Sequence, residues 1–109
     1  MPEVREYLTS DGFSPFRKWF QGLDPVPRAR IAAVLQRLSA GNPGDHYGVG
    51  LGVVEIRLHT GPGYRIYVGR DGGEVVILLA GGTKRRQASD IRMAHERWQD
   101  YQRRKNLEP

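Results

Sequence analysis

The sequence contains no cysteine, and this absence excludes both a disulfide framework and a thiolate metal site. No apolar run approaches the roughly 20 residues that a membrane-spanning helix needs, and the first residues lack the apolar core of a secretory signal peptide. The three histidines are scattered, without carboxylates at metal-ligand spacing. These absences predict a cytoplasmic protein that uses no metal or other cofactor and binds no membrane.

Positive charge is in excess, with 17 lysines and arginines against 12 acidic residues and a net charge of +5. A small basic domain suits a polyanionic partner such as nucleic acid, the ribosome or an acidic protein. The alternative is a basic protein without such a partner, because charge by itself is a weak indicator. No repeat or linker divides the chain, so residues 1–109 are predicted to form one domain.

The most informative segment is residues 53–68, where two alternating stretches flank Gly61-Pro62-Gly63. Alternation with period two predicts two β-strands. A three-residue loop would place Leu58 opposite Ile66 and gather the apolar side chains on one sheet face. The other face then carries a polar set that makes a poor core but suits phosphate binding. This set comprises Arg57, His59, Arg65 and Tyr67.

Further strands and helices are indicated on both sides of this hairpin. Residues 3–8 alternate and predict a first strand. Ser14-Pro15 and Asp24-Pro25 each combine an N-cap residue with proline and predict two helices, the second ending at Gly41-Asn42-Pro43-Gly44. Residues 41–52 are a glycine-rich loop long enough to suggest a function.

The region after the hairpin predicts one strand and one helix. Residues 74–80 are a nearly unbroken apolar run, which is typical of a central strand buried on both faces, and Gly81-Gly82 is expected to end it. From about residue 84 the pattern is helical, with Trp98 and Tyr101 on the apolar stripe. The predicted fold is α+β with the order β-α-α-β-β-β-α. Two N-terminal helices cover one face of an antiparallel sheet, and the C-terminal helix lies at its edge.

Several motifs occur in an order and spacing that resemble one known family. They are Gly41-Asn42-Pro43-Gly44-Asp45, Gly52-Val53-Val54-Glu55-Ile56-Arg57, Gly61-Pro62-Gly63-Tyr64-Arg65-Ile66-Tyr67, Leu78-Leu79-Ala80-Gly81-Gly82-Thr83-Lys84, and Gln87 with Asp90-Ile91 and Ala94. Over nearly the whole chain they resemble the RelE/ParE toxin superfamily, and most closely its HigB-like branch of addiction module killer proteins.

This resemblance implies a toxin held inactive by a cognate antitoxin, usually a small helix-turn-helix protein from the same operon. RelE-like members cleave mRNA in the ribosomal A site, whereas ParE-like members poison DNA gyrase. An endoribonuclease is therefore the leading hypothesis. A non-enzymatic inhibitor of gyrase and an inactive protein that only binds its antitoxin are the alternatives.

Metal-independent RNA cleavage requires cationic groups around the phosphate, and guanidinium groups suit this task because they donate paired hydrogen bonds. By resemblance, Arg65 is the first candidate for stabilising the transition state and Arg57 the second. Lys84 and Arg85 occupy the place where RelE-like RNases carry a basic pair, and Arg86 follows them.

The acid–base groups are harder to assign, because the chain departs from the RNase pattern in two places. Some RelE-like members carry a lysine where this chain has Glu55, and a tyrosine near the start of the last helix, where it has Asp90-Ile91. Glu55, His59 and Tyr67 are the substitutes on the same predicted face. Histidine is suited to proton transfer by its ordinary pKa of about 6.5, although a partly exposed structural histidine is the alternative.

The second predicted helix turns three arginines outward, and these are candidates for nucleic-acid or ribosome contacts. They are Arg28, Arg30 and Arg37. A solvated helix face explains them equally well.

Overall fold

The computed structural model describes residues 2–107 and has an α+β architecture. In chain order, its elements are β1 (Glu3–Glu6), α1 (Pro15–Gln21), α2 (Pro25–Ser39), β2 (His46–Gly48), β3 (Val53–Leu58), β4 (Tyr64–Asp71), β5 (Val75–Thr83), a 3₁₀ turn (Lys84–Arg86) and α3 (Gln87–Leu107). The five strands form one sheet in the order β1-β5-β4-β3-β2.

The sheet is mixed, so the prediction of a purely antiparallel sheet is wrong. β1 runs parallel to β5, with Glu3 opposite Val75, while the other neighbours are antiparallel. Alternation tells which side chains share a face, but it carries no information on strand direction. The short strand β2 was not predicted, because all three of its residues are exposed and give no apolar alternation.

The hairpin of β3 and β4 is correct in its faces and wrong in its register. Leu58 pairs with Tyr64 and Glu55 with Tyr67, so the connection comprises the five residues 59–63 instead of three. The register differs from the predicted one by two residues. A shift of two preserves which face each side chain takes, because side chains alternate with period two.

The sheet is covered on both faces by helices. On one face, α1 and α2 bury Phe16, Ile31 and Val34 against the sheet. On the other face, α3 buries Ala94 and Trp98. The C-terminal helix therefore packs across a sheet face, and the prediction that it lies at the edge is wrong. A helical stripe shows that one side of a helix is buried, but not against which surface.

The central strand β5 is buried on both faces as predicted, with Val76 and Leu78 in one core and Ile77 and Leu79 in the other. It does not end at Gly81-Gly82 but continues to Thr83.

These glycines are needed for close packing instead of for a turn. A Cβ on Gly81 would lie 2.1 Å from Cε3 of Trp19, and a Cβ on Gly82 would lie 1.9 Å from Oδ2 of Asp90.

None of the helices within residues 2–107 combines the length and the apolar character that a membrane-spanning helix needs.

Candidate functional site

One end of the sheet carries an open basic groove, called here the first groove. It lies where β3 ends, β4 begins and β5 ends, because these antiparallel strands bring those termini to the same end of the sheet. Its volume is about 510 Å³. Among the sequence candidates, the first groove is lined by Arg57, His59, Arg65 and Lys84.

Behind the first groove, a buried carboxylate organises the two arginines. Glu55 is completely buried, and its Oε1 accepts a 2.7 Å hydrogen bond from Nε of Arg57. Its Oε2 accepts bonds from the Tyr67 hydroxyl at 2.9 Å and from Nε2 of Gln87 at 2.8 Å. Nε of Arg65 lies 3.9 Å from Glu55 Oε1. One buried anion is thus shared by two cations and two neutral donors, as a buried charge requires.

The network shifts the pKa values of its members in consistent directions. Burial raises the pKa of Glu55, but the hydrogen bonds from Arg57, Tyr67 and Gln87 outweigh it, and the net pKa is below the ordinary value. Burial, together with the bond to Glu55, raises the pKa of Tyr67. The hydrogen bond to Glu55 raises the pKa of Arg57. Glu55 is therefore an anion at neutral pH, and Tyr67 keeps its proton.

This burial changes the interpretation of two predicted acid–base residues. Glu55 and Tyr67 do share a sheet face with Arg57 and Arg65, as alternation indicated, but they line neither the first groove nor its rim. Both are completely buried beneath α3. They support the arginines from behind and do not reach a ligand in the groove.

The two arginines retain donors for a ligand. The bond from Arg57 to Glu55 uses Nε, so it leaves both terminal amino groups of that guanidinium as further donors. Arg65 is only 5% exposed, its Nε has no hydrogen-bond partner in the described chain, and its Nη1 lies 3.5 Å from the carbonyl of Tyr64. Guanidinium groups held in this way suit an oxyanion in the groove.

The loop of residues 59–63 fixes the position of Lys84. The carbonyl of Gly63 accepts a 2.9 Å hydrogen bond from the backbone nitrogen of Lys84. Gly63 has a φ of +76°, and a Cβ there would lie 3.2 Å from Cβ of Lys84. Glycine is favoured here because it adopts this backbone conformation without strain and leaves room for the lysine stem.

His59 lies just beyond the end of β3 and forms a hydrogen bond between its Nε2 and Oδ2 of Asp45. When Nε2 donates this bond, the neutral ring leaves Nδ1 as a proton acceptor. The bonds from His59 and Tyr47 lower the pKa of Asp45. The Arg57 guanidinium lies over the ring of Tyr47, 4.0 Å from its centroid.

The sequence reasoning missed Asp45, Tyr47 and Gln87 as members of the site. Asp45 and Gln87 occur in the motifs that resemble the RelE/ParE superfamily, but no sequence pattern assigned either of them to the site. Tyr47 gave no signal, because it lies in the exposed edge strand β2. A backbone bond of 2.9 Å from Arg57 nitrogen to the Asp45 carbonyl brings this segment to the groove.

The remaining predicted basic residues are dispersed. Arg85 and Arg86 are exposed in the 3₁₀ turn and do not line the first groove. Arg30 and Arg37 line a second groove beside the first. Arg28 lies apart, with Nη1 3.5 Å from the carbonyl of Gln21.

A larger open depression of about 760 Å³ lies between β1 and α1. Two of its cations are neutralised, because Arg5 pairs with Glu3 and Arg17 pairs with Glu6. It is therefore a weaker candidate for anion binding than the first groove. In the described part of the chain, no three His, Asp or Glu side chains are grouped so that they could hold a metal ion.

Comparison with known proteins gives a relative but no activity. The chain matches no family model. It is 41% identical over 80 residues to a protein of Haemophilus influenzae described as uncharacterized, and the match covers 72% of this chain and 81% of the relative. The fold and the groove thus define a small basic α+β protein with a candidate anion-binding site. The chain belongs to the same family as the H. influenzae protein.

Proposed function

We propose that this protein is a toxin of the RelE/ParE superfamily, in its HigB-like branch, and that it acts as a ribosome-dependent endoribonuclease on mRNA. The observation that carries the proposal is the presence of Arg57, Arg65 and Lys84 in one groove, with His59 at its rim. The order of helices and strands supports the resemblance, apart from the additional short strand β2.

In the proposed reaction, the scissile phosphate lies in the first groove. Nδ1 of His59 takes the proton of the 2′-hydroxyl, whose oxygen attacks the adjacent phosphorus. The bond to the 5′-oxygen breaks, and Lys84 supplies the proton that this leaving oxygen needs. The products are a 2′,3′-cyclic phosphate and a free 5′-hydroxyl. Arg57 and Arg65 stabilise the negative charge that develops on the phosphoryl oxygens.

Glu55 has a positioning role in this scheme. It is anionic and buried, so it fixes the Arg57 side chain by a 2.7 Å bond and attracts Arg65 at 3.9 Å. Groups that are oriented before the reaction stabilise a transition state without further reorganisation. As in other modules of this kind, we expect a cognate antitoxin with a helix-turn-helix domain to hold the protein inactive. We also expect it to work in the cytoplasm, where ribosomes and mRNA are found.

One observation favours the non-enzymatic alternative, in which the protein inhibits DNA gyrase. Glu55 stands where some RelE-like RNases carry a lysine, and it is sequestered from the groove together with Tyr67. Two of the three acid–base candidates are thus inaccessible to a substrate. The RNase proposal then depends on His59, which is well exposed at the groove rim.

The test is mRNA integrity in a purified translation system, with cuts mapped by primer extension. We expect discrete cuts that require ribosomes, and a loss of about 10²-fold or more in rate for Lys84→Gln. Because Lys84 is exposed, this change does not threaten folding as a change at buried Arg65 would. Arg70→Gln is the control, since Arg70 is exposed and lines neither groove. Intact mRNA with a protein that still arrests growth would sink the RNase proposal, and inhibition of gyrase supercoiling would establish the alternative.

A further inference from the structure

A second groove, defined by Arg30, Arg37, Ala33, Pro43, Ile56 and Leu58, adjoins the first. It lies between α2, the start of the glycine-rich loop and the end of β3. Its volume is about 350 Å³, which falls within the range of small-ligand sites. Its chemistry differs from that of the first groove, because the partly exposed Ala33 and Pro43 provide an apolar wall, above the buried Ile56 and Leu58, while arginines provide the charge.

The two grooves adjoin at the end of β3. Arg57, His59 and Thr60 line both of them, so a strand that occupies the first groove can reach the second by passing around these three residues. Nη1 of Arg30 donates a 3.2 Å hydrogen bond to Oγ1 of Thr60, which joins α2 to the loop between the grooves. Within residues 2–107, the Arg37 side chain makes no hydrogen bond or ion pair, so its charge is free to meet a ligand.

The charge of the second groove is positive. Its acidic side chain, Asp45, is engaged by His59 and does not neutralise Arg30 or Arg37. An inorganic anion would use the arginines but not the apolar wall. A nucleotide uses both, because its base has an apolar face and its phosphate is an anion.

We propose that the second groove binds one nucleotide of a single strand, the next one along the strand from the dinucleotide whose phosphate lies in the first groove. The base contacts the apolar wall, and the phosphate contacts Arg30 and Arg37. This inference rests on the proposed function only in assuming that a nucleic-acid strand occupies the first groove. It requires no cleavage.

The experiment measures binding of the full chain to fluorescent 2′-O-methyl RNA, which has no free 2′-hydroxyl and cannot be cleaved. A dinucleotide and a hexanucleotide are compared over a series of salt concentrations. For the wild type, we expect the hexanucleotide to bind at least tenfold more tightly. Arg30→Gln/Arg37→Gln should remove most of this gain and reduce the salt slope by about 0.7 for each phosphate that is no longer neutralised. Dinucleotide binding should stay unchanged.

Two further variants distinguish an effect of the second groove on binding from an effect of general positive charge or of unfolding. Arg70→Gln/Arg92→Gln removes the same two charges from exposed side chains that line neither groove, and should bind both oligonucleotides like the wild type. Ala33→Leu narrows the second groove without a change in charge, in a helix that tolerates leucine. It should weaken hexanucleotide binding alone.

Equal binding of the two oligonucleotides by the wild type would overturn the inference. So would an equal loss in the two double variants, because general charge would then explain the effect. The mRNA cleavage assay fails or succeeds independently. Groove-dependent binding without any cleavage would support a nucleotide site and reject the RNase, whereas cleavage without a gain for the hexanucleotide would do the reverse.

Discussion

Tyr67 donates a 2.9 Å hydrogen bond from its hydroxyl to Oε2 of Glu55, and both side chains are completely buried between the sheet and α3. The two residues stand opposite each other on β4 and β3. Since Glu55 also binds Arg57 in the first groove, the packing of the core and the placement of a groove cation depend on the same carboxylate. Stability and activity are therefore expected to respond together to changes at Glu55.

Replacement of Glu55 by glutamine should be strongly destabilising. The variant keeps the shape of the side chain but leaves Arg65 buried without a counter-charge, and loss of one partner from a buried ion pair costs about 3–5 kcal/mol. We expect the free energy of unfolding in urea to fall by about 3 kcal/mol. Glu96→Gln, at an exposed position on α3, should change it by less than about 0.5 kcal/mol. Similar small effects for both variants would contradict a structural role for the buried charge.

The buried carboxylate of Glu55 should also make the free energy of unfolding depend on pH. The pKa of Glu55 in the folded protein is below its ordinary value of 4.5. At pH values between the folded and the unfolded pKa of Glu55, the unfolded chain binds more protons than the folded protein. The stabilisation by the Glu55 carboxylate is therefore fully present above about pH 4.5 and is lost as the pH falls through the folded pKa.

The measurement for this prediction is the free energy of unfolding in urea from about pH 7 to about pH 3, for the wild type and Glu55→Gln. Burial raises the pKa of Asp90, which acts in the opposite direction, but both proteins contain Asp90 and the comparison removes its effect. The difference between the two proteins should shrink as the pH falls. A constant difference would show that the charge of Glu55 is not what stabilises the fold.

Gly81→Ala should disrupt the packing of α1 on the sheet. The new Cβ would lie 2.1 Å from Cε3 of Trp19, so the indole must move, and overpacking of this kind costs about 1–3 kcal/mol. Gly73→Ala is the matched control, because a Cβ there meets no atom within 4 Å. Thermal unfolding should show a lowered midpoint for Gly81→Ala alone. An unchanged midpoint would mean that α1 is free to shift away from the sheet.

Asp45 and His59 should act as a unit in RNA cleavage. His59→Gln removes the proposed base, and we expect a loss of about 10²–10⁴-fold in rate. Asp45→Asn keeps a hydrogen-bond acceptor for the ring, so its loss should be smaller. The double variant should be no slower than His59→Gln, because Asp45 acts through the imidazole. Additive losses, measured as single-turnover cleavage rates on ribosomes, would show that Asp45 has a separate role.

Much of the local structure could be predicted from the sequence. Ser14 caps α1 by accepting a 3.1 Å bond from Arg17 nitrogen, and Trp98 is buried as its helical stripe indicated. The faces of the hairpin were also correct. The register was not, because Leu58 pairs with Tyr64 across a longer loop than the glycines suggested. Loop length is set by contacts such as the bond from Lys84 to Gly63, which join residues far apart in the chain.

The candidate site shows the same division. Placement of Arg57 and Arg65 on one sheet face followed from alternation. The burial of Glu55 and Tyr67 did not, because alternation separates two faces without saying that α3 covers the polar one. The pairing of His59 with Asp45 depends on the pairing of β2 with β3, which places residues 45–48 beside β3. An exposed edge strand has no apolar alternation from which it could be predicted.

The sequence by itself determined the α+β class, the residues at which α1 and α2 begin, the two-sided burial of β5 and the basic charge, since each depends on residue type and periodicity along the chain. The tertiary structure alone decided the parallel pairing of β1 with β5, the position of α3 and the conversion of Glu55 into a buried anchor for two arginines. The physical reason is that strand direction, helix docking and shared hydrogen bonds arise from contacts between distant residues, which local preferences leave open.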